Sequence, residues 1–280
     1  MKKFIKLIID KIIYFIFESN YFKDNTKINS HLLYLSLISN KKYSSPKNLL
    51  PHGFSIFSQG DEDGIIDEIF KRIGLKDKYF LELGVENGVE CNTAYLLLKG
   101  WEGLWVEGSK KNASKAKKNF IKYLNNGSLK IYNQFITTEN SKGFFEHEIN
   151  NHNLDLLSID IGNYTYHILS QILFMNPRLI VVEYNAKFGS ECEFVSNNTK
   201  GYWDGSINYG ASLKSFEQLL LGKYSLIGCS ITGANAFFLS NKENLSKFES
   251  PFVSEKHYES EKYYLTNYFK SYHKNLIEFK

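Results

Sequence analysis

The stretch YFLELGVENGVEC sets two carboxyl groups, Glu82 and Glu86, around a pair of glycines, Gly84 and Gly88, and GLWVEGS supplies a third acid, Glu107. An apolar run that stops at a glycine, with a second glycine and an apparent helix after it, reads as the turn leaving a β-strand. In open α/β sheets the ligand lies beyond the carboxyl ends of the strands, where such a turn stands. Dinucleotide binders write that turn GxGxxG, because the middle glycine lets a pyrophosphate reach the backbone and the helix N-terminus. Here the middle glycine is missing and Glu86 carries a charge that repels a diphosphate. Glu107, ending the next strand, is placed to accept hydrogen bonds from two ribose hydroxyls. Glu82 can receive a further donor, directly or through water. Acids at two strand ends around a phosphate-free turn point to an adenosine with an amino-acid tail, S-adenosylmethionine (SAM).

Methyl transfer from a sulfonium is an in-line displacement, and a hydroxyl acceptor must also lose a proton. The groups for that step belong at the ends of later strands. Asp160 ends LDLLSID, while Glu183, Tyr184 and Asn185 end LIVVEYN and face an acceptor. Two chemistries stay open. In one, His167, early in the helix after Asp160, is the general base, since its pKa lies near working pH. In the other, Asp160, Glu183 and Asn185 hold Mg²⁺ or another divalent cation through hard oxygen ligands. The long polar and aromatic connection over 186–211 is an acceptor loop, in which Trp203 and Tyr209 offer flat faces and Asp204 a hydrogen-bonding group.

These residues need a scaffold that brings strand ends together. Short β-like runs at 79–84, 103–109, 129–136, 154–161, 177–185, 224–230 and 234–240 alternate with helical ones at 93–100, 114–124, 166–174 and 212–221. That alternation predicts a three-layer α/β fold, a Rossmann-like sheet of seven strands, mostly parallel. The last two strands share a connection too short for a helical crossover, so they form an antiparallel hairpin. GDEDGIIDEIFKRIG predicts a further helix from near Asp61 to Gly74.

Through FSQGDEDGI, FLELGVENG, NTAYLLLKGWEGLWVEGS, LDLLSIDIGN, PRLIVVEYN, YGASLKSF and GCSITGANAFFLS, the chain resembles class I SAM-dependent methyltransferases. Its closer likeness is to the FkbM-like group, which methylates sugars and other small molecules. The resemblance runs from about Phe57 to Leu239. It implies that Glu82, Gly84 and Gly88 line the methionine side of SAM, that Glu107 holds the ribose and that Ser109 helps near the adenosine. It also implies that Gln59 and Glu62 fold over the cofactor. As function it implies O-methylation of a sugar hydroxyl on a nucleotide-linked sugar or surface-polysaccharide precursor. Methylation of another small metabolite, or a non-catalytic assembly role, are the alternatives. The sequence departs from the family at IDIGNYTYH, where Gly162 and Thr165 stand in place of acids, which weakens the metal reading.

Composition bounds the rest. Net charge is +4, nearly all of it lysine, with Arg72 and Arg178 the only arginines, so nucleic acid is not an expected partner. Cys91, Cys192 and Cys229 are widely spaced, as in a reducing, cytoplasmic setting. Residues 1–50 form a helical extension ahead of a methyltransferase domain over 51–280. The opening MKKFIKLIIDKIIYFIF is interrupted by charges and too short to span a bilayer. It reads as a helix that docks on the domain or on a second subunit of a homo-oligomer, or that lies on the inner face of the membrane.

Overall fold

The computed structural model describes residues 5–6, 8–11, 20–149, 152–197 and 205–266. Its centre is one seven-stranded sheet: β1 (Tyr79–Leu83), β2 (Glu102–Glu107), β3 (Leu129–Asn133), β4 (Leu156–Ile159), β5 (Leu179–Glu183), β6 (Tyr224–Cys229) and β7 (Asn235–Ser240). The spatial order is β3-β2-β1-β4-β5-β7-β6. The first five strands are parallel, and β7 runs antiparallel to both β5 and β6. The Rossmann-like sheet and its antiparallel hairpin are as the sequence alternation predicts.

Side chains alternate across this sheet because a strand has a period of two. From β1, Phe80 enters one apolar layer and Leu81 and Leu83 the other. The Phe80 layer is closed by helices α2 (Glu62–Ile73), α3 (Ala94–Leu98) and α4 (Lys110–Asn119), through Ile65, Ile69, Leu96 and Ala116. The opposite layer is closed by α6 (Ser141–Glu148), α7 (Thr165–Ile172) and α8 (Leu213–Leu220), through Phe145, Ile168 and Phe216. Parallel strands buried on both faces are the arrangement such a sheet requires.

Three local expectations change. The helix expected over 114–124 is two, α4 and α5 (Ile121–Asn125), because the chain breaks at Phe120 to bury its ring edge-on against Trp105, 4.7 Å between centroids. Helix α6 had no strong sequence signal, since Gly143 lowers helix propensity and only Phe144, Phe145 and Ile149 give periodicity. It is nonetheless the crossover that parallel β3 and β4 demand. The third β-run ends at Asn133, so Gln134, Phe135 and Ile136 leave the sheet and enter the ligand side.

Ahead of the sheet, α1 (Asn20–Ile38) leads into turns whose Tyr43, Leu49 and Leu50 share the Phe80 layer. A short helix, α9 (Ser254–His257), follows β7. Among the described residues, no helix is long and apolar enough to cross a membrane.

Candidate active site

A cavity of about 710 Å³ opens beyond the carboxyl ends of β1, β2, β4 and β5. Gly84 makes it possible. Its φ of +85° suits only glycine, and a Cβ there would stand 1.7 Å from the carbonyl oxygen of Asp160. The ends of β1 and β4 therefore approach closely under the turn. Gly88 serves a different end. A Cβ on it would meet the Trp105 and Phe120 rings at 2.7 and 2.8 Å, and it does not line the cavity, so the cofactor contact assigned to it is corrected to a packing role.

Glu107 sits on the cavity wall, buried, with each oxygen holding one backbone N–H. Oε2 accepts from Glu86 and Oε1 from Ser109, both at 2.7 Å. A carboxylate offers about four acceptor positions, so two remain for a ligand. The Glu86 N–H bond also holds that residue at φ +49°, a left-handed conformation that residues other than glycine seldom adopt. Ser109 lines the cavity and caps α4, its hydroxyl accepting from the Asn112 N–H.

Glu82 lines the cavity as well, but its oxygens are fully engaged. Oε1 accepts from the Asn92 N–H and the Ser158 hydroxyl, and Oε2 from the Thr93 N–H and hydroxyl. Burial pushes its pKa up, and these donors pull it back. Glu82 thus fixes the start of α3 against β1 and β4 and positions the turn, with no oxygen left for the further donor expected from sequence.

The FSQGDEDG segment closes another side. Gln59 and Glu62 line the cavity; Glu62 accepts from the Gly60 N–H and the Asn235 side-chain amide at 2.8 and 2.9 Å. Asp63, hidden beneath, gathers the N–H groups of Ile56, Phe57 and Ser58 on Oδ2, while its Oδ1 is buried without a partner. Burial pushes Asp63 up to about 7, against the pull of those three donors. An acid whose folded pKa is raised contributes stability that is full below its ordinary value near 3.8 and lost as pH rises through 7. Denaturant midpoints should fall between about pH 4 and 7, and Asp63→Asn should flatten that slope. An unchanged slope in the variant would remove Asp63 as its source.

At the far side, the carboxyl groups of Asp160 and Glu183 face each other. Burial raises both, and the Asp160 charge raises Glu183 further. Asp160 is open to the cavity. Tyr209 and Tyr263 line the same wall, their hydroxyls hydrogen-bonded to each other.

Several acceptor-side expectations are corrected. Asn185 is buried, with its amide donating to the Ile207 and Tyr209 carbonyls and its oxygen accepting from Lys187 N–H. That side chain folds the acceptor loop and is not free to ligate. With Asn185 so engaged, the proposed metal set of Asp160, Glu183 and Asn185 lacks its amide ligand, and no cluster of three or more His, Cys, Asp or Glu side chains that could hold an ion occurs among the described residues. His167 is also not on the cavity; its Nε2 pairs with the Ser196 carbonyl oxygen at 3.2 Å and ties down the loop. Tyr184 is buried away from the site, its hydroxyl donating to the Glu259 carbonyl. Trp203 and Asp204 lie outside the described residues.

Other cavity residues escaped the sequence reading. Phe135 and Tyr164, edge to face at 5.6 Å, form part of the wall, as do Asn163 and Tyr263. The exposed Phe135 at a strand end was a usable signal. Tyr263, 80 residues beyond Glu183 in the chain, had none, because only folding brings the two together.

No protein-family model matches the chain and no curated protein matches it in sequence. Among solved structures, it is similar to an O-methyltransferase from Bacillus cereus in complex with SAH (S-adenosylhomocysteine), at 14% identity and a TM-score of 0.42, covering 82% of this chain and 97% of that one. It is also similar to a magnesium protoporphyrin IX methyltransferase from Synechocystis with bound SAM, at 9% identity and 0.40, covering 64% and 78%. A third is a SAM-dependent methyltransferase from Aquifex aeolicus, at 11% and 0.37, covering 65% and 89%. At such distances the functional reading rests on the cavity's own geometry.

Proposed function

We propose that this chain is a SAM-dependent O-methyltransferase of the FkbM-like kind, acting on a sugar hydroxyl of a nucleotide-linked sugar or surface-polysaccharide precursor. The observation that carries the cofactor reading is Glu107, a buried carboxylate with two acceptor positions facing a cavity whose turn is built on Gly84. Glu62, Glu86, Glu90, Asp160 and Glu183 join Glu107 on its wall, and among the described residues no lysine or arginine lines it. Such a wall favours a ligand bearing an ammonium and a sulfonium and disfavours a diphosphate. SAM supplies the electrophilic methyl group; everything else falls to the chain.

Glu107 holds the ribose hydroxyls, and the Gly84 turn lets the ligand approach the backbone. Asp160 and Glu183 face the acceptor end, where a carboxylate of the pair can take the hydroxyl proton. Tyr209 and Tyr263 offer flat faces to a sugar ring. Because acids line this space, the phosphates of a nucleotide-linked acceptor stay outside and only the ring enters.

Calorimetry with SAH, followed by tritiated SAM with a panel of nucleotide sugars, tests both halves. Binding heat and label on a sugar hydroxyl are expected. No heat at millimolar SAH removes the cofactor reading, and binding without transfer to any sugar removes the acceptor. His167→Ala should keep SAH affinity and lower stability by about 1 kcal/mol, the worth of one hydrogen bond. Loss of SAH binding in that variant contradicts its placement away from the cavity.

A further inference from the structure

The far end of the cavity holds negative charge with no counter-charge beside it. Asp160 and Glu183 face each other there, and burial raises both, so a second charge is costly where the first already stands. The field of Asp160 also reaches Glu86, and that of Glu183 reaches Tyr209 and Tyr263. Asn235 stands opposite Glu183 in the β5–β7 register and lines the same cavity. Its amide NH₂ donates to Glu62, while its Oδ1 is buried without a partner. Among the described residues no lysine or arginine lines the cavity. Two lysines of the adjoining segments are engaged elsewhere, Lys187 with Glu261 at 3.8 Å and Lys262 with Glu259 at 2.9 Å.

Two carboxyl groups held together away from water either keep a proton or gain a cation. A divalent ion is not the natural choice, because Asn185 is engaged by the acceptor loop. SAM brings an ammonium and a sulfonium but also a carboxylate of its own, so it offsets only part of the charge on this wall. The rest is complemented by a compact cation with several N–H donors. Tyr209 and Tyr263 add ring faces that attract such a group.

We propose that the acceptor carries a free amino group, as an amino sugar does, and that its ammonium binds Glu183 beside Tyr209 and Tyr263. Asp160, open to the cavity, is then left to take the proton of the neighbouring hydroxyl. This narrows the sugar reading above and rests on it.

The test is calorimetry of the SAH-saturated full chain with glucosamine, glucose and N-acetylglucosamine, which differ only in the group at one carbon. Glucosamine should bind at least about tenfold more tightly than either neutral sugar, the worth of one hydrogen bond to a charged group. Glu183→Gln should erase that difference and leave SAH affinity unchanged, whereas Glu183→Asp, which keeps the charge, should preserve it. With tritiated SAM and the matching nucleotide sugars, the label should appear on an oxygen of the amino sugar. Equal or weaker binding of glucosamine, no binding of it, or a preference that survives Glu183→Gln would overturn the proposal. So would label on nitrogen, since a nitrogen held as an ammonium has no lone pair to methylate. If SAH gives no heat the cofactor reading fails, and the same sugars titrated into the free chain still decide between amine and neutral ligand. Tighter binding of glucosamine with no sugar labelled would support the ammonium site while removing the nucleotide sugar as acceptor.

Discussion

Replacing Glu107 by glutamine is expected to weaken SAH binding by roughly 100-fold or more while the fold persists. The wild-type carboxylate joins two layers of the site. It receives the N–H groups of Glu86 and Ser109 from the protein side, and its remaining acceptor positions face the cavity. Hydrogen bonds to a charged group contribute about 1.5–3 kcal/mol each, and each 1.4 kcal/mol is tenfold in affinity. Glutamine keeps one oxygen but turns an NH₂ toward one of the backbone donors, so it loses an acceptor position and also sets donor against donor. Whichever of the Glu86 and Ser109 N–H groups meets that NH₂ loses its partner, and the turn loosens with it. Calorimetry measures the affinity and circular dichroism the fold. Unchanged affinity in a folded variant would show that Glu107 does not touch the ligand.

Gly84→Ala should have the larger effect on the protein itself. The alanine methyl would sit 1.7 Å from the Asp160 carbonyl oxygen, in backbone that is itself packed between the ends of β1 and β4. A flexible side chain could swing away; a carbonyl at the end of a central strand cannot. The positive φ adds backbone strain of about 1–3 kcal/mol, and overpacking adds about as much again. We expect a loss of about 2–6 kcal/mol in stability, read by denaturant unfolding, and no SAH binding at the temperature of assay. A variant as stable as the parent would mean that the two strand ends do not meet as described.

The two substitutions separate what the site asks of its sequence. Gly84 is required for space, Glu107 for unfilled acceptor positions. Glu82 resembles Glu107 in sequence, an acid in an apolar strand, yet its oxygens are already taken by Asn92, Thr93 and Ser158. The same residue type thus positions the turn at one strand end and faces the ligand at the next.

The sequence by itself determined the sheet and where its ligand end lies. Strand runs such as LIVV and AFFL are apolar throughout, so they read as buried on both faces, and the short link between β6 and β7 admits only an antiparallel pairing. Glycines at strand ends and acids beside them marked the cavity, because local backbone geometry and unpaired charge are properties a short stretch carries with it. Only the tertiary structure decided which polar atoms remain free. Asn185 and His167 have the chemistry of a ligand and a base, but the carbonyls that occupy them, from Ile207, Tyr209 and Ser196, come from a loop that folds back from later in the chain. Hydrogen-bond capacity is spent on whichever partner arrives, and that partner is set by long-range packing. For the same reason Asp160 and Glu183, at the ends of strands joined through α7, meet as a pair of carboxyl groups, and Tyr263 joins their wall from the far end of the described chain.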